Sequence, residues 1–403
     1  MPSSPCYTLG LDCSTQTLSL MVINATENEL VYFDSVNFET DLSQYGTKAG
    51  SVSSEQNPAE VFSFPAMWLE ALDLLFAKTA KLFDLKKISA ISGSGQQHAG
   101  VYLDSSFNER LARLDARKTL AEQISGAFTR TQVPIWMDTS TSAQCEKITQ
   151  ALGQDGVLER SGSIAIERFT GPQIRKFAEH SPQDYERTHL IHLNSSFMCS
   201  VLAGQSAPID HADGAGMNLA NIHTWRWDSD LLDATVRGLA QKLPTLAPSD
   251  TCVGTIAPYF CEKYGLCPST KIIAFTGDNP SSLVGTGAVL QGRATISLGT
   301  SDTLIYATRA ANPMPDRHVL GGPAGGYMTL ICFRNGSLAR ERLKNELGVD
   351  WNFFDKTAFE NYTPQDDNAL CLPFYFDEIS PKLRSSTPVF ENMDGANSAQ
   401  KVR

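Results

Sequence analysis

Asp278 stands in Gly277-Asp278-Asn279-Pro280, a carboxylate at the start of a segment that residues 281–284 continue as helix. Two readings of it are open. An Asp ahead of Asn-Pro is good N-capping chemistry. A carboxylate held there can also accept the proton of a hydroxyl during group transfer. A second set of candidates comes from two segments that resemble each other, Leu9-Gly10-Leu11-Asp12-Cys13-Ser14-Thr15-Gln16-Thr17-Leu18 and Ser297-Leu298-Gly299-Thr300-Ser301-Asp302-Thr303-Leu304. Each is an apolar strand, a tight turn of small hydroxyl residues and a second apolar strand. Such a turn aims backbone N–H groups and hydroxyls into one concavity, which suits a phosphate. An ordinary β-turn is the bland alternative, and duplication of the pattern counts against it. Aligned over 14–18 and 300–304, the copies put Asp12 where the second has Leu298. One carboxylate beside a phosphate site is what a Mg²⁺ ion needs. The pair therefore reads as a clamp for MgATP with the metal on one side.

The elements that must position these residues follow from periodicity. Residues 7–11, 18–23 and 29–37 read as a three-strand antiparallel meander. A Gly/Ser-rich loop over 41–56 comes next. Pro58 then opens an amphipathic helix to about residue 82. A buried-type strand over 87–93 ends in Gly93-Ser94-Gly95-Gln96-Gln97-His98. The order β-β-β-α-β is the core of a ribonuclease-H-like half domain. Residues 110–131 read as a polar surface insertion, 134–138 as a short strand, 142–152 as a helix, and 172–205 as helix interrupted at Pro182. Composition changes near Ala257-Pro258, and a second core is expected to begin after 271–276. It offers β-β-β-α only. The organisation expected is thus an N-terminal domain over 1–257, an incomplete C-terminal domain over 258–378, and a polar tail over 379–403 expected to be disordered.

Composition narrows the class. The chain has 403 residues, enough for about two domains. Lys and Arg number 33 against 44 Asp and Glu, a net charge of −11 that disfavours nonspecific nucleic-acid binding. Nine cysteines without regular spacing suit reduced thiols. The sequence shows no signal peptide and no apolar run of membrane-spanning length, so a cytoplasmic location is expected. It has no P-loop, no dinucleotide fingerprint, no His-Glu-x-x-His and no Gly-x-Ser-x-Gly.

Several motifs in one order resemble the FGGY-type carbohydrate kinases, the relatives of glycerol kinase, and within them the eukaryotic xylulokinases. They are Gly10-Leu11-Asp12-Cys13-Ser14-Thr15-Gln16, Gly93-Ser94-Gly95-Gln96-Gln97-His98, Trp136-Met137-Asp138-Thr139-Ser140-Thr141, Glu167-Arg168-Phe169-Thr170-Gly171, the run from Pro208 through Asp210 and Asp213 to Asn218, Thr276-Gly277-Asp278-Asn279-Pro280 and Ser297-Leu298-Gly299-Thr300-Ser301. The resemblance implies an α/β chain of two actin-like ATPase domains with a cleft between them, closing over MgATP and a sugar. It implies phosphorylation of D-xylulose, with Asp278 as base, Asp12 on the metal, and His98, Arg168, Asp278 and Asn279 on the sugar. Ser14, Thr15, Gln16, Gly299, Thr300 and Ser301 would hold phosphates. Trp351 resembles the residue packed on adenine, with a core Trp as the competing reading. Asp210 and Asp213 flank a turn and read as supporting residues. Members of the family run further at the C-terminus, where they carry an adenosine-backing loop. The alternatives are therefore a truncated, weakly active or non-catalytic sugar-binding remnant, or a kinase for another sugar or polyol such as ribulose or glycerol.

Overall fold

Leu9, Leu11 and Cys13 alternate with Thr8, Gly10 and Asp12 along Tyr7–Cys13, so one face of that strand is core and the other carries the polar set. The same alternation in Thr17–Asn24 buries Leu18, Leu20 and Val22. The computed structural model describes residues 5–290, 292–299, 301–359, 370–372, 374–378, 384 and 388–392. Among them, Tyr7–Cys13, Thr17–Asn24 and Glu29–Asn37 form the antiparallel meander, and Ile88–Gly95 adds in parallel beside the first strand. The long helix is Pro65–Leu82, with Pro65 in the first turn, where the missing N–H costs nothing. It starts later than expected from Pro58 because Val61–Ser63 is a strand paired with Val133–Pro134. Met67, Trp68, Leu72, Leu75 and Phe76 seal its inner face against the sheet.

The sheet does not stop where the composition changes. Lys271–Ile273 and Thr276–Gly277 both pair in parallel with Ile88–Gly95, and Cys252–Thr255 closes that edge. Tyr259, Phe260, Tyr264, Leu266, Ile272 and Phe275 belong to the same core as Leu9 and Trp68. The boundary expected at 257/258 is therefore corrected: the sheet changes after Gly277. Pro258 marks a helix start, Pro258–Tyr264, rather than a new domain. The expected polar insertion over 110–131 is likewise corrected, since it buries Leu111, Leu120, Ile124 and Phe128. Within 172–205 the helices flank a strand, Leu190–Leu193, paired with Gly100–Leu103.

The second sheet runs Ala294–Leu298, Asp302–Thr308, Tyr327–Phe333, His318–Gly321, all antiparallel, followed by the helices Ser337–Leu347 and Trp351–Phe359. Among the described residues it has no counterpart of the parallel strand that completes the first sheet. Its core joins Ile305, Val319, Leu320, Met328 and Leu330 to Ala215 and Ile222 of the first lobe. The expectation of a wholly disordered tail is also corrected, because Val389–Glu391 pairs with Leu370–Leu372. The rest of 379–403, apart from residues 384, 388 and 392, lies outside the described residues. No described helix is long and apolar enough to cross a membrane.

A backbone contact helps to dock the lobes. Val319 N–H donates to the Gly162 carbonyl at 2.9 Å. Gly162 has φ +79°, and a Cβ on it would lie 2.2 Å from the Val319 oxygen. A side chain there meets both a left-handed backbone and a clash that no rotamer relieves. Gly162→Ala is expected to destabilise the protein by about 1–3 kcal/mol. Chemical unfolding with an unchanged midpoint would reject this docking.

Candidate active site

The C-terminal ends of three parallel strands build the site. In register, Asp12 lies opposite Ser94 on one side of the central strand, and Thr276 lies opposite Ser94 on the other. Asp12 and Asp278 thus come off neighbouring strand ends flanking one Gly-Ser-Gly segment. The glycines make that approach possible: a Cβ on Gly93 would lie 2.6 Å from the Leu11 carbonyl oxygen and 2.4 Å from Phe275, and one on Gly95 would lie 2.0 Å from Asn194 Oδ1. Ser94 Oγ donates to Asp12 Oδ1 at 2.7 Å. Burial nonetheless raises the Asp12 carboxyl above its ordinary range.

Asp278 begins the helix Asp278–Gly285. Asn279 donates to its Oδ1 twice, from the backbone N–H at 2.8 Å and from Nδ2 at 3.2 Å. Asn279 Nδ2 also reaches Gln97 Oε1 at 2.9 Å. Desolvation, then the charge of Asp12, push the Asp278 carboxyl up to about 7. A carboxylate poised near neutrality results, with Oδ1 oriented by Asn279. The capping reading is set aside: Gly277 is the N-cap, no side chain caps the helix, and Asp278 is its first helical residue.

Asp278 belongs to the walls of two cavities. One, of about 360 Å³, is also lined by Gln97, His98, Arg168, Phe169 and Asn279 of the first lobe. Ser297, Ser301, Thr303 and His318 line it from the second. The other, of about 590 Å³, contains Asp12, Ser94, Ser249 and Asp250. The structure therefore brings together His98, Arg168, Asp278, Asn279 and Ser301 around one space and joins it through Asp278 to the space at Asp12.

His98 occupies the left-handed region, φ 70°, which a non-glycine residue rarely adopts. Its ring stacks on Phe169 with centroids 4.6 Å apart. Nδ1 lies 2.9 Å from the Gly216 carbonyl, which can only accept, so Nδ1 carries the hydrogen and Nε2 is left as an acceptor. Desolvation, with Arg168 beside it, lowers the imidazole to about pKa 3, so the ring is neutral at physiological pH. The Arg168 guanidinium is the positive group facing His98, His318 and the Cys332 thiol.

The two turns are less alike than their sequences. Cys13 pairs with Leu18 across the first, whereas Leu298 pairs with Asp302 across the second, one residue fewer between partners. The alignment of 14–18 on 300–304 therefore does not carry through both strands. Ser14 Oγ is spent on the Thr17 carbonyl at 3.1 Å, and Thr15 Oγ1 accepts from Trp136 Nε1 at 2.9 Å. Gln16 is exposed. None of these three lines either cavity, although Trp136, which holds Thr15, lines the first. In the second turn, the Gly299 carbonyl accepts from Ser337 N–H at 2.8 Å. Thr300 lies outside the described residues. Trp351 is 44% exposed, with the Lys344 ammonium 5.4 Å from its ring centroid, and lines neither cavity. The core-Trp reading is thereby set aside.

Asp210 and Asp213 are wholly buried behind the site. Asp210 accepts from Ser249, Thr276 and two backbone N–H groups, capping His211–Ala215. Ser195 donates to Asp213. Desolvation first, then Asp210, raise the Asp213 carboxyl well above its usual range. Residues the sequence reading did not single out include Gln97, Trp136 and Phe169, all inside motifs already noted. Ser297 and Thr303 lay within the second hairpin. His318 had no sequence signal.

Mg²⁺ fits this chemistry. Among the described residues no group of three or more His, Cys, Asp or Glu side chains could hold a metal alone. One or two carboxylates with hydroxyls beside them match an ion that keeps several waters and takes other oxygens from phosphates.

The comparisons agree with this geometry. A family model described as the N-terminal domain of the FGGY family of carbohydrate kinases matches residues 130–285. The chain is 40% identical over 382 residues to xylulose kinase of Rattus norvegicus, an alignment covering 93% of this chain and 70% of that one. It is 39% identical over 396 residues to xylulose kinase 2 of Arabidopsis thaliana, covering 96% and 70%. The solved xylulose kinase of Rhodospirillum rubrum superposes with TM-score 0.82 at 16% identity, over 98% of this chain and 75% of that one. Plasmodium falciparum glycerol kinase with ADP gives 0.77 at 15% identity, over 99% and 75%. At such identities the structures establish the fold, two actin-like ATPase lobes. With the acids, the hydroxyl turns and the sequence relatives together, the chain belongs to the FGGY family of carbohydrate kinases.

Proposed function

We propose that this chain phosphorylates D-xylulose with MgATP, giving D-xylulose 5-phosphate and ADP. The observation that carries the reading is the position of Asp278 in the wall shared by the two cavities. A sugar hydroxyl held on one side of it can be deprotonated as it attacks a γ-phosphorus presented from the other. The O–P bond to the sugar forms, the bridge to the β-phosphate breaks, ADP leaves, and the hydroxyl proton resides on Asp278. A carboxylate near pKa 7 is well matched to that task at neutral pH.

Each remaining group has a role in this reading. Neutral His98 accepts a hydroxyl hydrogen at Nε2, Arg168 grips adjacent oxygens with its fork, and Asn279 orients the base. Asp12, with Ser94 fixing one of its oxygens, would hold Mg²⁺, which supplies charge neutralisation at the phosphates. Ser14, Thr15, Gln16, Gly299, Thr300 and Ser301 belong to the two turns that would bracket the triphosphate. The hydroxyls of Ser14 and Thr15 are already engaged, so the first turn would serve through its backbone N–H groups. The relatives named as xylulose kinases support D-xylulose over ribulose or glycerol.

Asp278→Asn is expected to lower turnover by about 10²–10⁴-fold while sugar binding persists. A coupled assay of D-xylulose-dependent ADP release, paired with calorimetric sugar titration, measures both. Retained turnover in the variant rejects Asp278 as base, and sugar binding by the parent chain without ADP release rejects the kinase reading. The pH profile gives an independent test. Because the Asp278 carboxyl is raised, it is protonated and useless as a base below about 7 and competent above. The kcat/KM for D-xylulose is expected to fall about tenfold per pH unit below that point. A profile flat from pH 5 to 8 contradicts this.

A further inference from the structure

We propose that His318, contributed by the second lobe, is a sugar-binding and specificity-determining residue that completes the ketose site opposite His98. The inference rests on the kinase reading above and deepens it. A ketopentose carries an oxygen on every carbon, while the first lobe offers His98, Arg168, Asn279 and Asp278. Some of those oxygens need partners from elsewhere, and the cavity wall supplied by the second lobe is where they would be found.

His318 starts the strand His318–Gly321 and is buried. Its ring lies against Phe169, centroids 5.2 Å apart, on the aromatic plate that also carries His98. Phe169 is thus shared by two imidazoles, one from each lobe. Nδ1 is 3.1 Å from Ser163 Oγ, a residue of the first lobe. That bond fixes the ring and leaves Nε2 as its remaining polar atom, in a ring that lines the cavity beside Asp278 and Asn279. Desolvation, with Arg168 nearby, lowers the imidazole to about pKa 3, so it meets the sugar as a neutral group. An uncharged donor or acceptor is what an uncharged hydroxyl calls for.

The strand is also anchored. Beyond the bond from Val319 N–H to the Gly162 carbonyl, Gly321 packs so tightly on His211 that a Cβ would fall 2.7 Å from the His211 carbonyl carbon. His318 is therefore held by contacts with the first lobe. If its only role were structural, the Ser163 bond would account for it and sugar binding would not sense its loss.

The test compares His318→Phe, which keeps the stack on Phe169 and removes hydrogen bonding, with His318→Gln, which keeps hydrogen bonding. The expected result for His318→Phe is about a tenfold weaker Kd for D-xylulose, equivalent to about 1.4 kcal/mol. KM for ATP stays unchanged, and His318→Gln recovers part of the loss. Equal D-xylulose affinity in His318→Phe and the parent overturns the inference and leaves the kinase reading standing. Failure of the parent itself to bind any ketose overturns both. Should His318→Phe unfold, imidazole resonances of the unmodified protein decide the matter: the His318 ring signal is expected to shift on adding D-xylulose, and no shift at saturation overturns the proposal.

Discussion

Two carboxylates held near each other in a partly desolvated cleft, Asp12 and Asp278, are the constraint around which this molecule is arranged. Burial raises the cost of ionising both, and at Asp278 the charge of Asp12 adds to it. Left to itself such a pair would relax by separating or by keeping a proton. Here the backbone forbids separation, because both acids are fixed at strand ends on either side of Ile88–Gly95. In the proposed reaction that electrostatic tension would be available to chemistry: a cation beside Asp12 would relieve it, and so would a proton arriving on Asp278. That is why a phosphoryl transfer site can be built with few charged side chains.

The cost of holding the pair is distributed behind it. Gly93 and Gly95 let three strands and the Asn194 side chain approach without Cβ atoms between them. Ser94 places a hydroxyl on Asp12. Asn279 links Asp278 to Gln97. Asp210, satisfied by four donors, holds Thr276 just before Asp278. These contacts are polar and directional, and their geometry depends on the sheet being continuous through residue 277.

That continuity is what the sequence conceals. The acids, His98 and Arg168 were legible because strand ends and glycine turns leave local patterns, and because those patterns recur in one order in a known family. The sheet's far edge was not. Lys271–Ile273 and Thr276–Gly277 are too short to carry a period, and their partner lies some 180 residues earlier, so they read as the opening of a new core. Residues 110–131 misled for the opposite reason: Leu120, Ile124 and Phe128 are buried by very short elements whose polar residues dominate the window. The engaged hydroxyls of Ser14 and Thr15 were equally invisible, since the Trp136 indole that occupies Thr15 is more than a hundred residues away.

In the proposed reaction, neutrality of His98 and His318 separates two tasks that could have interfered. Both imidazoles sit near pKa 3, held there by burial and by Arg168, so neither changes charge across the range in which Asp278 titrates. On the proposed reading, protonating Asp278 would therefore remove the chemistry without introducing a new charge at His98 or His318. Had either imidazole kept an ordinary pKa, acidification would have put a second cation beside Arg168, and the proposed ketose site would have loosened at the same pH at which Asp278 is protonated. Phe169 packs against both rings, and the burial and the Arg168 charge that lower both imidazoles would keep sugar binding and proton transfer on separate titrations.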